Sequence, residues 1–125
     1  MPPKYPKKVF SSIFEKKFTG ELILTEKLED KLIDKHKVYR SDLFDALSDP
    51  NRVVMKSSQK SPIPFDLKKS SGKVYEILCE SEDNKVMFVV GRLFPDGKLL
   101  ILTAYWANQP LQRIYYQTRE VLWDE

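Results

Sequence analysis

Cysteine is almost missing from this chain of 125 residues: Cys79 is the only one, and it lies inside an apolar stretch. One thiol cannot close an internal disulfide, so nothing demands an oxidising compartment, and a core thiol is the ordinary reading of such a residue. Histidine is just as scarce. With His36 alone beside Cys79, a Cys/His zinc site has too few ligands. The four glycines are scattered, which rules out a glycine-rich phosphate loop. No helix-turn-helix, zinc finger or serine nucleophile elbow stands out. No apolar run approaches the roughly 18 residues of a membrane span. The opening Met1-Pro2-Pro3-Lys4-Tyr5-Pro6-Lys7-Lys8 lacks the apolar core of a secretory signal. These absences leave a cytoplasmic chain, away from membranes and without metal or cofactor, as the expectation.

What is present suits one globular domain. Hydrophobic residues at 42% outweigh charged ones at 31%, enough to bury a core at this length. The net charge of +3 is unevenly spread. Lys4, Lys7, Lys8, Lys16 and Lys17 face only Glu15 in the first 17 residues. Arg52, Lys56, Lys60, Lys68, Lys69 and Lys73 face only Asp66 in residues 50–73. Such patches either solubilise the surface or attract a polyanion or an acidic protein.

Periodicity sets out the elements. The prolines and lysines of residues 1–8 read as an arm, and Val9 to Phe18 as a short amphipathic helix. Residues 1–20 are therefore expected to stand apart from a single domain over residues 21–125. Glu21 to Leu24 is a short candidate strand. Thr25 suits an N-cap for a helix over residues 26–36, with Glu26, Glu29 and Asp30 in its first turns, and Lys35, His36 and Lys37 at its end. Ser41 is expected to cap a second helix, with Leu43, Phe44 and Leu47 inside and Asp49-Pro50 stopping it. Arg52 to Lys56 suits an edge strand. Residues 57–72, rich in serine, read as an irregular basic loop. Three strands follow, over residues 73–81, 85–94 and 98–106, joined by turns at Glu82-Asp83-Asn84 and Pro95-Asp96-Gly97. Val86, Phe88 and Val90 alternate with Met87, Val89 and Leu93. Both faces of that strand must be covered, by helices or by a partner chain, so a homo-oligomer is admitted. Asn108 can cap a last helix with Pro110 in its first turn. The fold class is α+β: helices packed on a C-terminal antiparallel meander, closed by a C-terminal helix.

Chemistry is carried by polar residues at element ends. His36 lies at the edge of a buried helix face, as either a packing residue or a proton carrier. Arg92 sits mid-strand among Phe88, Val90 and Phe94, where a guanidinium needs an ion pair or a cleft. Tyr105 and Trp106 end the last strand. Arg113 and Tyr116 share a helix face, where a cation can hold a phosphate and a phenol can stack on a base.

Two stretches resemble a known family. Leu28-Glu29-Asp30-Lys31-Leu32-Ile33-Asp34-Lys35-His36-Lys37-Val38, with Leu43-Phe44-Asp45-Ala46-Leu47-Ser48-Asp49-Pro50 after it, is similar to the start of BrnT-type toxins: a Lys-His-Gly-Val element, then a short helix ending in Asp-Pro. Tyr75 to Ile101, then Leu102-Thr103-Ala104-Tyr105-Trp106-Ala107, is similar to that family's strands and its Ile-Ser-Ala-Arg-x-Ala ending. Arg113 and Tyr116 match the Arg and Tyr of its closing helix. The resemblance covers residues 21–119. It implies a RelE-like fold and a metal-independent ribonuclease of a type II toxin–antitoxin module, bound by a cognate antitoxin and cleaving RNA by attack of the 2′-oxygen. Lys35, His36, Arg92, Arg113 and Tyr116 would be its catalytic set; Tyr105, Trp106, Lys56, Lys68 and Lys69 are this chain's own candidate RNA contacts, the loop at 57–72 being an addition to the family pattern. Lys37 stands where the family has glycine, and Tyr105 where it has arginine. A fold that kept the shape and lost the chemistry, docking a protein or nucleic acid, is the alternative.

Overall fold

The computed structural model describes residues 11–56 and 73–123. The expected arm over residues 1–8 and the loop at 57–72 that holds Lys68 and Lys69 lie outside the described residues. The chain order is α1 (Ser11–Lys17), β1 (Leu22–Ile23), α2 (Glu26–His36), α3 (Arg40–Leu47), β2 (Val53–Lys56), β3 (Lys73–Glu80), β4 (Val86–Leu93), β5 (Leu99–Trp106) and α4 (Gln109–Trp123). The α+β class is as expected, but the sheet is larger than a three-stranded meander. It has five strands in the order β1-β5-β4-β3-β2, with β1 parallel to β5 and the other pairs antiparallel. Strand partners as distant in sequence as Leu22 and Leu99 leave no local signal, which is why β1 can be read as a strand but not placed.

Both faces of the sheet are covered from within the chain. On one face Met87, Val89, Leu93, Leu99, Ile101 and Ala104 pack against Phe14, Leu32, Val38, Leu43 and Leu47 from the first three helices and the turn after α2. On the other, Leu78, Val86, Phe88 and Val90 pack against Tyr115, Leu111 and Ile114 of α4. The two-faced pattern of β4 is thus satisfied by helices and gives no ground for a partner chain. Phe14 is fully buried, so α1 is anchored in the core through that side chain. Arg52 holds it there. Its Nε donates to Glu15 at 2.9 Å, its Nη1 donates to the Leu47 carbonyl at 2.7 Å, and its guanidinium lies over the Phe14 and Phe18 rings. Arg52, counted in the sequence as surface charge, is structural.

Helix ends follow local chemistry. Thr25 Oγ1 accepts from the Leu28 N–H, as its position predicts. Lys37 closes α2 in the left-handed conformation (φ 54°, ψ 38°), its N–H bonded to the Ile33 carbonyl. The cap of α3 is a correction: the N-cap is Tyr39 rather than Ser41, and Asp42 reaches back to accept from the Tyr39 N–H at 2.9 Å. The inner face of α3 is also corrected to Leu43, Ala46 and Leu47, with Phe44 44% exposed. At α4, Asn108 Oδ1 accepts from the Leu111 N–H at 3.1 Å, as expected.

A β-bulge lies in β5. Val90 pairs with Thr103 but Gly91 with Ile101, so Leu102 is the extra residue. The insertion keeps Leu99 and Ile101 on the same face as Ala104, all packed beneath the helices. Gly91 sits where the strands close on one another: a Cβ there would lie 2.8 Å from Leu99 Cδ1 and 3.1 Å from the Leu100 carbonyl oxygen. Gly91→Ala is expected to destabilise the fold by about 1–3 kcal/mol, read as a lowered urea midpoint with an unchanged slope.

The carboxylate of Asp49 fastens α4 to the sheet. Buried just after α3, it accepts from the Tyr115 hydroxyl, from the Glu80 N–H at 3.0 Å and from the Asn51 N–H at 2.8 Å. Asp49→Ala strands those donors and is expected to cost about 3 kcal/mol, against about 1–2 kcal/mol for Tyr115→Phe; chemical denaturation of both variants checks the ratio.

Candidate nucleic-acid interface

The brevity of β1 creates the site. β1 pairs only with Leu99 and Leu100, so along residues 101–106 no further described strand lies beside β5. There the last turn of α2 reaches the sheet edge. The His36 ring meets the Tyr105 ring at 5.7 Å between centroids, tilted by 44°, and Tyr105 in turn meets Phe88 at 5.2 Å. Trp106, packed on the helical face, donates from its indole N–H to the Lys37 carbonyl at 3.3 Å. The Lys85 ammonium lies 5.7 Å from the centre of the Trp106 ring. His36, Tyr105 and Trp106 are all half-buried, and Lys35, Lys37 and Lys85 are exposed around them. The result is a platform wrapped round the edge of β5: Tyr105, met by His36, projects on the α4 face and Trp106 on the opposite one, with Lys35, Lys37 and Lys85 exposed in the adjoining segments. Glu82 and Asp83 share the turn with Lys85, and Asp34 precedes Lys35 on α2, yet none of the three lysines forms an ion pair among the described residues. Rings that offer a face, next to cations that can track a phosphate chain, are the elements of single-strand recognition.

The rest of the expected site lies elsewhere. Tyr116 donates its hydroxyl to Glu80, which pairs with Val86, whereas Tyr105 pairs with Phe88. Two strand spacings, about 10 Å, therefore separate the phenol from the platform. Arg113 is exposed, one helical turn before Tyr116. Arg92 is half-buried on the same face as Phe88 but four residues further along β4, about 13 Å at the usual strand rise. Its cross-strand partners are Val74 and Leu100, and Glu76 is its diagonal neighbour on β3. Lys56 ends β2 at the opposite edge of the sheet, paired with Tyr75. The structure therefore gathers Lys35, His36, Tyr105 and Trp106, and leaves Arg92, Lys56, Arg113 and Tyr116 on other parts of the surface. It adds Lys37 and Lys85, which sequence reasoning missed. Lys85 carries no signal beyond opening a strand, and Lys37 stands out only as the residue in place of the family's glycine.

Two further features stand apart from the platform. A groove of about 230 Å³ lies between the end of α1 and α3, lined by Phe18, Leu22, Phe44, Leu47 and Arg52. Cys79 is fully buried, and burial, with the Asp49 carboxylate adding to it, pushes its thiol far above the ordinary range. Among the described residues no cluster of His, Cys, Asp and Glu could hold a metal ion, and no helix is long and apolar enough to cross a membrane.

The raised thiol makes stability depend on pH. The folded chain keeps Cys79 protonated while the unfolded chain ionises near pH 8.5, so the folded state binds more protons and loses stability as pH rises. Above about pH 9 the loss is about 1.4 kcal/mol per pH unit. Stability measured by denaturation at pH 8 and pH 10 is expected to fall less in Cys79→Ala than in the wild type.

Compared with known proteins, the chain matches no protein-family model and no curated protein sequence.

Proposed function

We propose that this protein is a ribonuclease of the toxin type, acting on single-stranded RNA at the platform made by the end of α2 and the end of β5. The observation that carries the reading is the contact of the single histidine with Tyr105 at the open edge of β5, next to Trp106 with Lys85 over its ring, and with Lys35 and Lys37 exposed at the same helix end. The order of a short strand, two helices and an antiparallel meander agrees with the RelE-like fold that the resemblance to BrnT-type toxins implies. In this reading a base stacks on Tyr105 or Trp106 while the ammonium groups hold the flanking phosphates. His36 takes the proton from the 2′-hydroxyl as its oxygen attacks phosphorus, and the lysines oppose the charge that builds on the phosphorane. As the P–O2′ bond forms, the P–O5′ bond breaks and the departing 5′-oxygen takes a proton from water, giving a 2′,3′-cyclic phosphate and a 5′-hydroxyl end; His36 then returns its proton to solvent. A cognate antitoxin would bind over the same open edge, and the cytoplasm, where RNA is found, is the compartment this activity requires.

One observation favours a second reading, binding without cleavage. Tyr116 is engaged with Glu80, and Arg92 and Arg113 are remote from His36. A site that relies on lysines alone for the phosphorane is electrostatically weaker than one with a converging guanidinium.

The test is cleavage of single-stranded RNA by pure protein in EDTA. Wild type is expected to produce cyclic-phosphate ends, His36→Ala to lose about 10²-fold or more in rate, and a substrate with 2′-deoxyribose at the cut position to resist. Growth arrest on induced expression, relieved by His36→Ala, is the cellular counterpart. Binding of RNA with no turnover selects the second reading.

A further inference from the structure

Left-handed backbone is a poor place for a lysine. At φ 54° the Cβ crowds the following carbonyl, and glycine or asparagine is the usual residue. Lys37 nevertheless holds this conformation, and its carbonyl is the acceptor for the Trp106 indole N–H. The ammonium therefore extends from the residue that anchors the edge of the indole, while the Lys85 ammonium lies over its face. Neither lysine forms an ion pair among the described residues. A backbone strain kept at a surface position, where relief would take one substitution, points to the side chain as the reason for it.

We propose that Lys37, Trp106 and Lys85 form one nucleotide subsite: a base stacks against the exposed part of Trp106, and its two flanking phosphates are held by Lys37 and Lys85. The ligand class is single-stranded nucleic acid, bound through stacking and phosphate charge rather than through base edges. The subsite rests on the platform reading above and adds to it the residues that hold phosphate. It does not need the His36 chemistry.

The test uses the full chain carrying Trp123→Phe, which leaves Trp106 as the single indole, titrated with an oligothymidylate of about eight nucleotides. That ligand has no 2′-hydroxyl, so binding is read apart from cleavage. Quenching of Trp106 fluorescence is expected. Lys37→Gly is expected to weaken binding about fivefold at about 0.1 M salt and to flatten the logarithmic salt dependence by about 0.7, the loss of one phosphate contact. The same variant is expected to melt about 3 °C higher, because the strain is gone, and Lys37→Arg is expected to bind as wild type does. Lys85→Ala should reproduce the binding loss. Quenching with affinity and salt slope unchanged in both lysine variants overturns the subsite while leaving the platform. A Lys37→Gly variant that loses melting temperature along with affinity shows a structural cap and also overturns it. Polyglutamate competing as well as the oligonucleotide reduces the patch to charge alone, and the subsite falls with it. No response to either the deoxy or the ribo oligomer sinks the subsite and the proposed function together. Quenching without any RNA turnover supports the subsite and removes only the nuclease.

Discussion

One carboxylate joins the layers of this protein. Asp49 sits where α3 has ended and β2 has not begun, at the rim of the sheet between the two helical layers. A buried carboxylate is costly unless its lone pairs are used, and here three donors from different segments use them: the Asn51 amide, the Glu80 amide and the Tyr115 hydroxyl. The Asn51 bond sets the turn into β2. The Glu80 bond fixes that turn against the end of β3. The Tyr115 bond brings α4 down on the far face, where the second hydrophobic cluster otherwise has only the sheet to pack on. With Tyr115 fixed, its exposed neighbour Tyr116 donates to Glu80, and Arg113 is left one turn away. The placement of the C-terminal helix, and with it the fate of two residues expected at the active site, follows from a side chain 66 residues earlier.

The opposite edge of the sheet works by omission. A two-residue strand is enough to seat β1 beside β5, but it protects only the first part of that edge. Exposed edges are usually blunted by charge or by covering elements, and here the end of α2 supplies both: His36 meets Tyr105, the Lys37 carbonyl meets the Trp106 indole, and Lys35 is exposed beside them. The bulge at Leu102 contributes to the same outcome. Without the extra residue the alternation along β5 would run straight through, and Trp106 would change faces relative to Leu99 and Ile101. With it, Trp106 meets the Lys37 carbonyl and Tyr105 meets His36, so two consecutive side chains on opposite faces both contact one helix end.

What can be read from the sequence is what local chemistry decides. The bounds of α2 follow from Thr25, the acidic first turn and the basic last turn, and they agree with the structure to the residue. The last three strands agree to within about a residue because apolar alternation and the Asn84 and Gly97 turns mark them, both with positive φ. The double burial of β4 is visible because it is written in consecutive residues. The errors share one cause, competition from other partners. Ser41 is a good cap in isolation, but the Asp42 side chain reaches the Tyr39 amide instead. Phe44 looks like core on a helical wheel, yet Ala46 is the residue that faces the sheet, because α3 lies close upon it. Lys37 is a poor residue for a left-handed helix end, and the chain adopts that end regardless. Of the expected site, the half adjacent in sequence came together, Lys35 with His36 and Tyr105 with Trp106. The half whose meeting depended on the crossing of α4 over the sheet, on the far side of Asp49, did not.

The form of the platform also bears on what it can bind. A small metabolite gains most of its affinity from enclosure, which buries nearly all of its surface. The groove beside Phe44 has something of that character, but it lies by α1 and holds none of the aromatic-cationic cluster. The cluster at the end of α2 is open along the β5 edge, with Tyr105 on one face of the strand, Trp106 on the other and exposed lysines in the adjoining segments. An open surface suits a ligand that brings its own length, because each added nucleotide contributes another phosphate and another stacking face without any need for a cavity. The modest net charge is no obstacle to the proposed ligand: what matters is the local density of cations at one helix end, where the carbonyl dipoles of α2 favour positive charge.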